Sequence, residues 1–119
     1  MELDLRIIDV AANILLLSVS GKVKSGEVDP LEASLQRLCQ GPPARLILDV
    51  HAVDSVDSSG MGVLIRGRNE IVTRGGKVVL IGVTDRVSMI IRISGLESYL
   101  QIASTRDEAI TMLREQPAE

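Results

Sequence analysis

The chain has no tryptophan, no phenylalanine and a single tyrosine, Tyr99. Platforms for stacking bases or sugar rings are therefore missing, and the interior has to be assembled from Ile, Leu, Val and Met. Cysteine is as scarce. Cys39 stands alone, so no intrachain disulfide forms, which fits a reducing compartment. Its thiol is read as a packed side chain rather than a reactive one. Positive charge is not in excess: 13 Lys and Arg face 16 Asp and Glu, for a net charge of −3. This removes the electrostatic case for nucleic acid. No long apolar run occurs either. The strongest, Ile14 to Leu17, falls far short of the roughly 20 residues that span a bilayer, so no membrane insertion is expected. Glu2 and Asp4 come early, with no basic region followed by a long apolar stretch, which does not read as a secretion signal. A soluble, cytoplasmic protein is the expectation.

What is present is enough for one core: 45% of the 119 residues are hydrophobic, and the length suits a single domain over 1–119. "ELDLRIID" alternates apolar and polar residues as a half-buried strand does. After an Ala-Ala-Asn break, "NILLLSVSGKV" reads as a second strand, joined by an antiparallel hairpin. Asp29 and Pro30 open a helix, Leu31, Leu35 and Leu38 recur at helical spacing, and "QGPP" stops it at Gly41. "ARLILDV" is a buried strand. Met61 to Arg74 is helical and ends at Gly75-Gly76. "KVVLIGV" is another buried strand. Thr84-Asp85 caps a helix running to Ile93, "GLESYLQIA" contains a short last strand, and Thr105 caps "RDEAITMLRE". The order β-β-α-β-α-β-α-β-α argues an α/β sheet with parallel crossovers. If the strands follow one another in space, the helices collect on one face, and the other face then needs solvent tolerance or a partner. The tail, 113–119, is expected to fray.

Within "VDSVDSSGMGVLI" adjacent hydroxyls sit between a carboxylate and a glycine. One reading is a helix cap, with Asp57 or Ser58 accepting an amide of the first turn, a contribution of roughly 1 kcal/mol. Gly60 and Gly62 cost helix stability, up to about 1 kcal/mol each against Ala, so they are read as keeping the serines accessible. A second reading is a nucleophile. The sole histidine, His51, lies seven residues before Ser58, and no Gly-x-Ser-x-Gly elbow surrounds that serine. "RGGKVV" runs from helix end to strand, opposite to a phosphate loop. Asp49, Asp54 and Asp57 read as polar loop residues rather than a metal site. The third reading makes Ser58 a kinase substrate. A phosphoryl group adds about −1.5 to −2 charges at pH 7, which a helix N-terminus tolerates and a partner shaped for a neutral hydroxyl does not.

"LILDVHAVDSVDSSGMGVLI" resembles the signature of the STAS domain, specifically that of bacterial anti-sigma factor antagonists (anti-anti-sigma factors). Leu48-Asp49 and Asp57-Ser58-Ser59-Gly60 carry it. "RGGKVVLIGV" and "VSMIIRISGLESYLQIASTRDEAI" are similar to the family's later segments, so the match covers Arg45 to Leu113. The resemblance implies a single STAS-like domain: a mixed, mostly parallel sheet of four or five strands packed by about four helices. It implies phosphorylation of Ser58, the first serine after the aspartate, and no enzymatic activity or cofactor of its own. Its implied partners are an anti-sigma factor that is also a serine kinase, bound while Ser58 is unmodified, and a serine phosphatase that resets the phosphorylated form. Asp57, Ser59, Gly60 and Met61 are the implied partner-facing neighbours. "GKVKSGEVD" departs from the family's Gly-Glu-Leu-Asp. Gly26-Glu27-Val28-Asp29 is one equivalent, after a short insertion; the other, favoured because Gly21 ends the second strand, puts Lys22 and Lys24 where acids are common, and these are read as partner-facing too.

Other functions stay open at this level. A STAS module of a stressosome-like or transporter-associated system would bind protein without titrating a sigma factor. A nucleotide or small-ligand binder would use the amides near Ser59 and Gly60. In "DRVSMIIRISGL", Val87, Ile90 and Ile91 face the sheet, which leaves Met89 and Ile93 partly off that face for core packing or partner contact. Met61 raises the same question.

Overall fold

Alternation over the first nine residues, and its break at Ala-Ala-Asn, produce a hairpin. In the computed structural model, which describes residues 1–115, β1 (Glu2–Asp9) pairs antiparallel with β2 (Ile14–Val23). The turn closes on Asp9, whose carboxylate accepts the Ala12 amide at 3.0 Å. Asn13 supplies the left-handed residue at φ 54°, a conformation asparagine tolerates better than most. Its side chain donates to the Pro43 carbonyl at 2.8 Å.

The chain continues through α1 (Asp29–Leu38), β3 (Arg45–Val56), α2 (Ser58–Thr73), β4 (Lys77–Ile81), α3 (Asp85–Ile93), β5 (Gln101–Ile102) and α4 (Arg106–Glu115), with a 3-10 turn at Glu97–Tyr99. Strand order follows chain order, β1-β2-β3-β4-β5, and every pair from β2 onward is parallel. This is the α/β fold, mixed and mostly parallel with four helices, that the sequence leads one to expect. The punctuation is chemical. Pro30 sits in the first turn of α1. Thr84 Oγ1 accepts the Val87 amide at 3.3 Å and Thr105 Oγ1 the Glu108 amide at 3.1 Å, each satisfying an amide that a helix start leaves unpaired. Gly75, at φ 92°, ends α2.

Steady strand order places α1, α2 and α3 on one face, where Leu31, Leu35, Ile71, Val87 and Ile91 pack on Leu17, Val19, Leu46, Leu48 and Val50. The opposite face does not wait for a partner along its whole length. α4 returns after the last strand and sets Ala109 and Leu113 on Ile14, Leu16, Ile47, Val79 and Ile81. Leu46, Ile47 and Leu48 are consequently all buried, as in a strand covered on both faces.

Some boundaries differ from expectation; α2, for one, starts at Ser58 rather than Met61, because Asp57 caps it. β3 runs on to Val56 because it keeps pairing with β2 after β4 has ended. Two register shifts, at Ser18/Ser20 and Gly21/Lys22, space its inward residues Val50, Val53 and Val56 by three instead of two, which hides the strand from a period-2 reading. Gly21 does not end β2; it lies at the second shift, with φ 88°, and the strand continues to Val23. Of the tail expected to fray, residues 113–115 belong to α4, which reaches Glu115, and Leu113 has no exposed surface; 116–119 lie outside the described residues. Leu113→Ala should therefore destabilise the protein by about 2–5 kcal/mol in urea unfolding, the usual range for a buried leucine, whereas a frayed residue would leave the midpoint unchanged.

Candidate functional site

The parallel strands β2 and β3 end side by side, and the chain turns from β3 directly into α2. Asp57 occupies the turn in extended conformation and is the cap of α2, its Oδ1 accepting the Gly60 amide at 2.8 Å. The second oxygen, Oδ2, accepts the Ser25 amide at 3.1 Å, across from the loop after β2. The Asp57 amide in turn donates to the Val23 carbonyl at 3.3 Å. One residue thus fastens the start of α2 to the end of β2. The Gly60 and Ser25 amides, together with the Ser59 amide and the Lys24 charge, hold the Asp57 carboxyl below the ordinary aspartate range, because each favours the ionised form.

With Asp57 as the cap, Ser58 is released from that duty. It is the first residue of α2, exposed, and its hydroxyl makes no hydrogen bond among the described residues. Ser59 is exposed beside it. Lys22 is exposed at the end of β2, opposite Ser55, and Lys24 is half-buried near Asp57. Met89 (59%) and Ile93 (75%) are exposed on α3, and Arg86 of that helix donates to the Asp54 carbonyl at 2.7 Å. α3 is thereby linked to the strand that leads into the site.

Two residues read as partner-facing are buried. Met61 is 3% exposed and packs in the core with Val53, Val56 and Leu64; the turn set by Asp57 points it inward. Gly60 is buried as well, and a Cβ there would lie 1.9 Å from the Val23 carbonyl oxygen. Its glycine serves the close approach of α2 to β2, not access to the serines. Asp57, with both oxygens engaged by amides, acts as an anchor. Ser25, Val23 and Arg86 went unnoticed in the sequence because they act through backbone atoms or on one, and no motif marks such contacts.

The sole histidine stands back along β3 from the start of α2. His51 Nδ1 lies 2.9 Å from Asp49 Oδ1 on an exposed stretch of β3. Five strand residues, about 16 Å at ~3.3 Å each, separate it from the end of that strand. Among the described residues no three His, Cys, Asp or Glu side chains come together as a metal ligand set. A groove of about 430 Å³ runs between α1 and α2, floored by Leu35, Cys39 and Gly67. Its arginines are paired, Arg66 with Glu32 at 3.6 Å and Arg74 with Glu70 at 3.0 Å, and it lies along the half of α2 remote from Ser58. Cys39 donates to the Leu35 carbonyl at 3.4 Å, and burial pushes its thiol up, away from the reactive thiolate.

Gly60→Ala should destabilise the fold by about 3 kcal/mol, the upper end for overpacking, measured by urea unfolding, since the obstacle is a backbone carbonyl. Asp57→Asn has a pH signature. A carboxyl held low in the folded state stabilises above its unfolded value, near 3.8, and loses that contribution as the pH falls through the folded value. The wild type should therefore lose more stability than Asp57→Asn between neutral pH and pH values below that of an ordinary aspartate, as read from urea midpoints.

Comparison with known proteins bears on the family and the fold. The chain is 28% identical over 101 residues to a candidate anti-sigma factor antagonist, BtrV, of Bordetella bronchiseptica, covering 85% of this chain and 87% of that one. Its fold matches the crystal structure of a candidate anti-sigma factor antagonist, TM1081, from Thermotoga maritima, with a TM-score of 0.83 at 20% identity over 94% of both chains. It also matches the anti-sigma factor antagonist SpoIIAA in its unphosphorylated form, with a TM-score of 0.79 at 22% identity over 97% of this chain and 98% of that one. The Bacillus protein in its phosphorylated form gives 0.72 at 19% identity, over 95% and 100%. The STAS domain family model matches residues 6–109, nearly the whole sheet and all four helices in part or whole, and the chain belongs to that family.

Proposed function

We propose that this protein is a cytoplasmic anti-sigma factor antagonist, a binding module without catalysis of its own, switched by phosphorylation of Ser58. The observation that carries the reading is the division of labour at the start of α2. Asp57 holds the helix while the Ser58 hydroxyl stands free and exposed. A modification there changes charge without removing a cap.

In its unmodified state the surface around Ser58, with Ser59 beside it and Lys22, Lys24 and Met89 on neighbouring elements, receives an anti-sigma factor that is also a serine kinase. Capture of that factor frees a sigma factor for transcription. The kinase then transfers the γ-phosphoryl group of ATP. The serine oxygen bonds to phosphorus, the bond to ADP breaks, and the hydroxyl proton passes to the kinase. The product carries about −1.5 to −2 charges at the positive end of the α2 dipole, so the fold bears it. The partner surface, fitted to a small neutral group, meets a bulky dianion and is released by repulsion and desolvation. A serine phosphatase restores the hydroxyl.

Incubation with a kinase of this class and ATP should place one phosphate on the chain, mapped to Ser58 by peptide mass spectrometry. Ser58→Ala should abolish it and Ser59→Ala should not. Label that persists in Ser58→Ala refutes the site. Ser58→Asp should weaken capture of the kinase by about tenfold or more while circular dichroism stays native, since the charge acts at the interface; a loss of helix signal would mean that Ser58 is structural.

A further inference from the structure

β1 ends the sheet, with β2 on one side and, among the described residues, no strand on the other. It is eight residues long, whereas β5 at the opposite end has two. A long edge of this kind is a template for another strand. Leu5 is 48% and Ile7 63% exposed on it, in line with Leu3 and on the face that β2 presents to the first core. The opposite face carries Asp4 and Arg6, whose side chains lie together at 2.8 Å.

We propose that β1 pairs with β1 of a second copy of this chain, antiparallel, about a two-fold axis at Leu5. The charge pattern selects both the occupant and the register. In that arrangement Asp4 of each copy faces Arg6 of the other, so two opposite-charge pairs form across the axis. Leu3 faces Ile7 twice and Leu5 faces itself, so the exposed apolar row covers its own image. Shifting the axis to Asp4 sets that carboxylate against its own copy, although Glu2 then faces Arg6, and shifting it to Arg6 sets two guanidiniums together with no opposite-charge pair; only the axis at Leu5 joins opposite charges without a like-charge pair. Charges on an edge oppose pairing where they meet their like and favour it where they meet their opposite; about Leu5 those of this edge meet their opposite. An isologous contact of this size lies at the small end for specific interfaces, below about 1,200 Å², so the dimer is weak and depends on concentration. β2 stands between β1 and β3, which leads to Ser58, and the pairing is independent of the switch proposed there.

Sedimentation equilibrium of the full chain from about 10 μM to about 1 mM, the range for a small interface, should give a reversible monomer–dimer curve. Asp4→Arg and Arg6→Asp should each weaken the dimer by about tenfold, because each sets two like-charge pairs across the axis. The double variant Asp4→Arg/Arg6→Asp should recover to within about threefold of the wild type, with circular dichroism native in all three. A monomer throughout, as expected if the edge serves a strand of a different protein, overturns the proposal. So do single reversals that leave the dimer unchanged, or a double variant that fails to recover.

Discussion

The carboxylate of Asp57 is the contact on which the site depends. It accepts an amide from its own helix and one from the loop after β2, joining elements that are 32 residues apart in sequence. A serine or asparagine could cap α2, but neither offers two equivalent, charged acceptor oxygens at once. The lowered pKa of the group is the electrostatic record of that double engagement. Because the aspartate takes the cap, the first helical residue is left with a hydroxyl that has no structural task.

Gly60 completes the arrangement from the other side. Its backbone lies so near the Val23 carbonyl that any side chain would collide with it, and this contact sets how deeply α2 sits against β2. Met61 is turned into the core as a result, and Ser58 and Ser59 are turned out. The two serines are therefore exposed by the packing of their neighbours, with glycine serving the approach of backbones. A charge placed on Ser58 would meet solvent and helix amides; the apolar interior begins only at Met61.

Much of this was legible in the residues. Capping threonines, the proline at the start of α1 and the double glycine after α2 mark local events that need no tertiary context, and they locate the helices closely. Val87 and Ile91 against Met89 and Ile93 separate by helical period alone. What escaped is tertiary. The extension of β3 depends on two irregularities in its pairing with β2, and these spoil the alternation by which a strand is recognised. Leu113 belongs to the core only because α4 folds back beneath the sheet, which a terminal segment with charged neighbours does not announce. Gly60 has two uses that look alike in one dimension, openness and close approach, and only the position of Val23 decides between them. The Asp57–Ser58 pair was ambiguous for the same reason, as either side chain suits a cap.

The site also occupies a thinly supported part of the sheet. Beyond Asp49, β3 has lost β4 and is held on one edge by β2 alone, through the stretch with both register shifts. A strand end with so few pairings would open more readily than the centre of the fold. The contacts gathered there compensate for that: Asp57 to two amides, its own amide to the Val23 carbonyl, and Arg86 from α3 to the Asp54 carbonyl. All of them end on backbone atoms, so they fix the path of the chain while leaving the outward side chains, Ser58 and Ser59 among them, free of internal partners. A chain path fixed through backbone contacts, beneath a hydroxyl with no partner among the described residues, is what supports the switch proposed for Ser58.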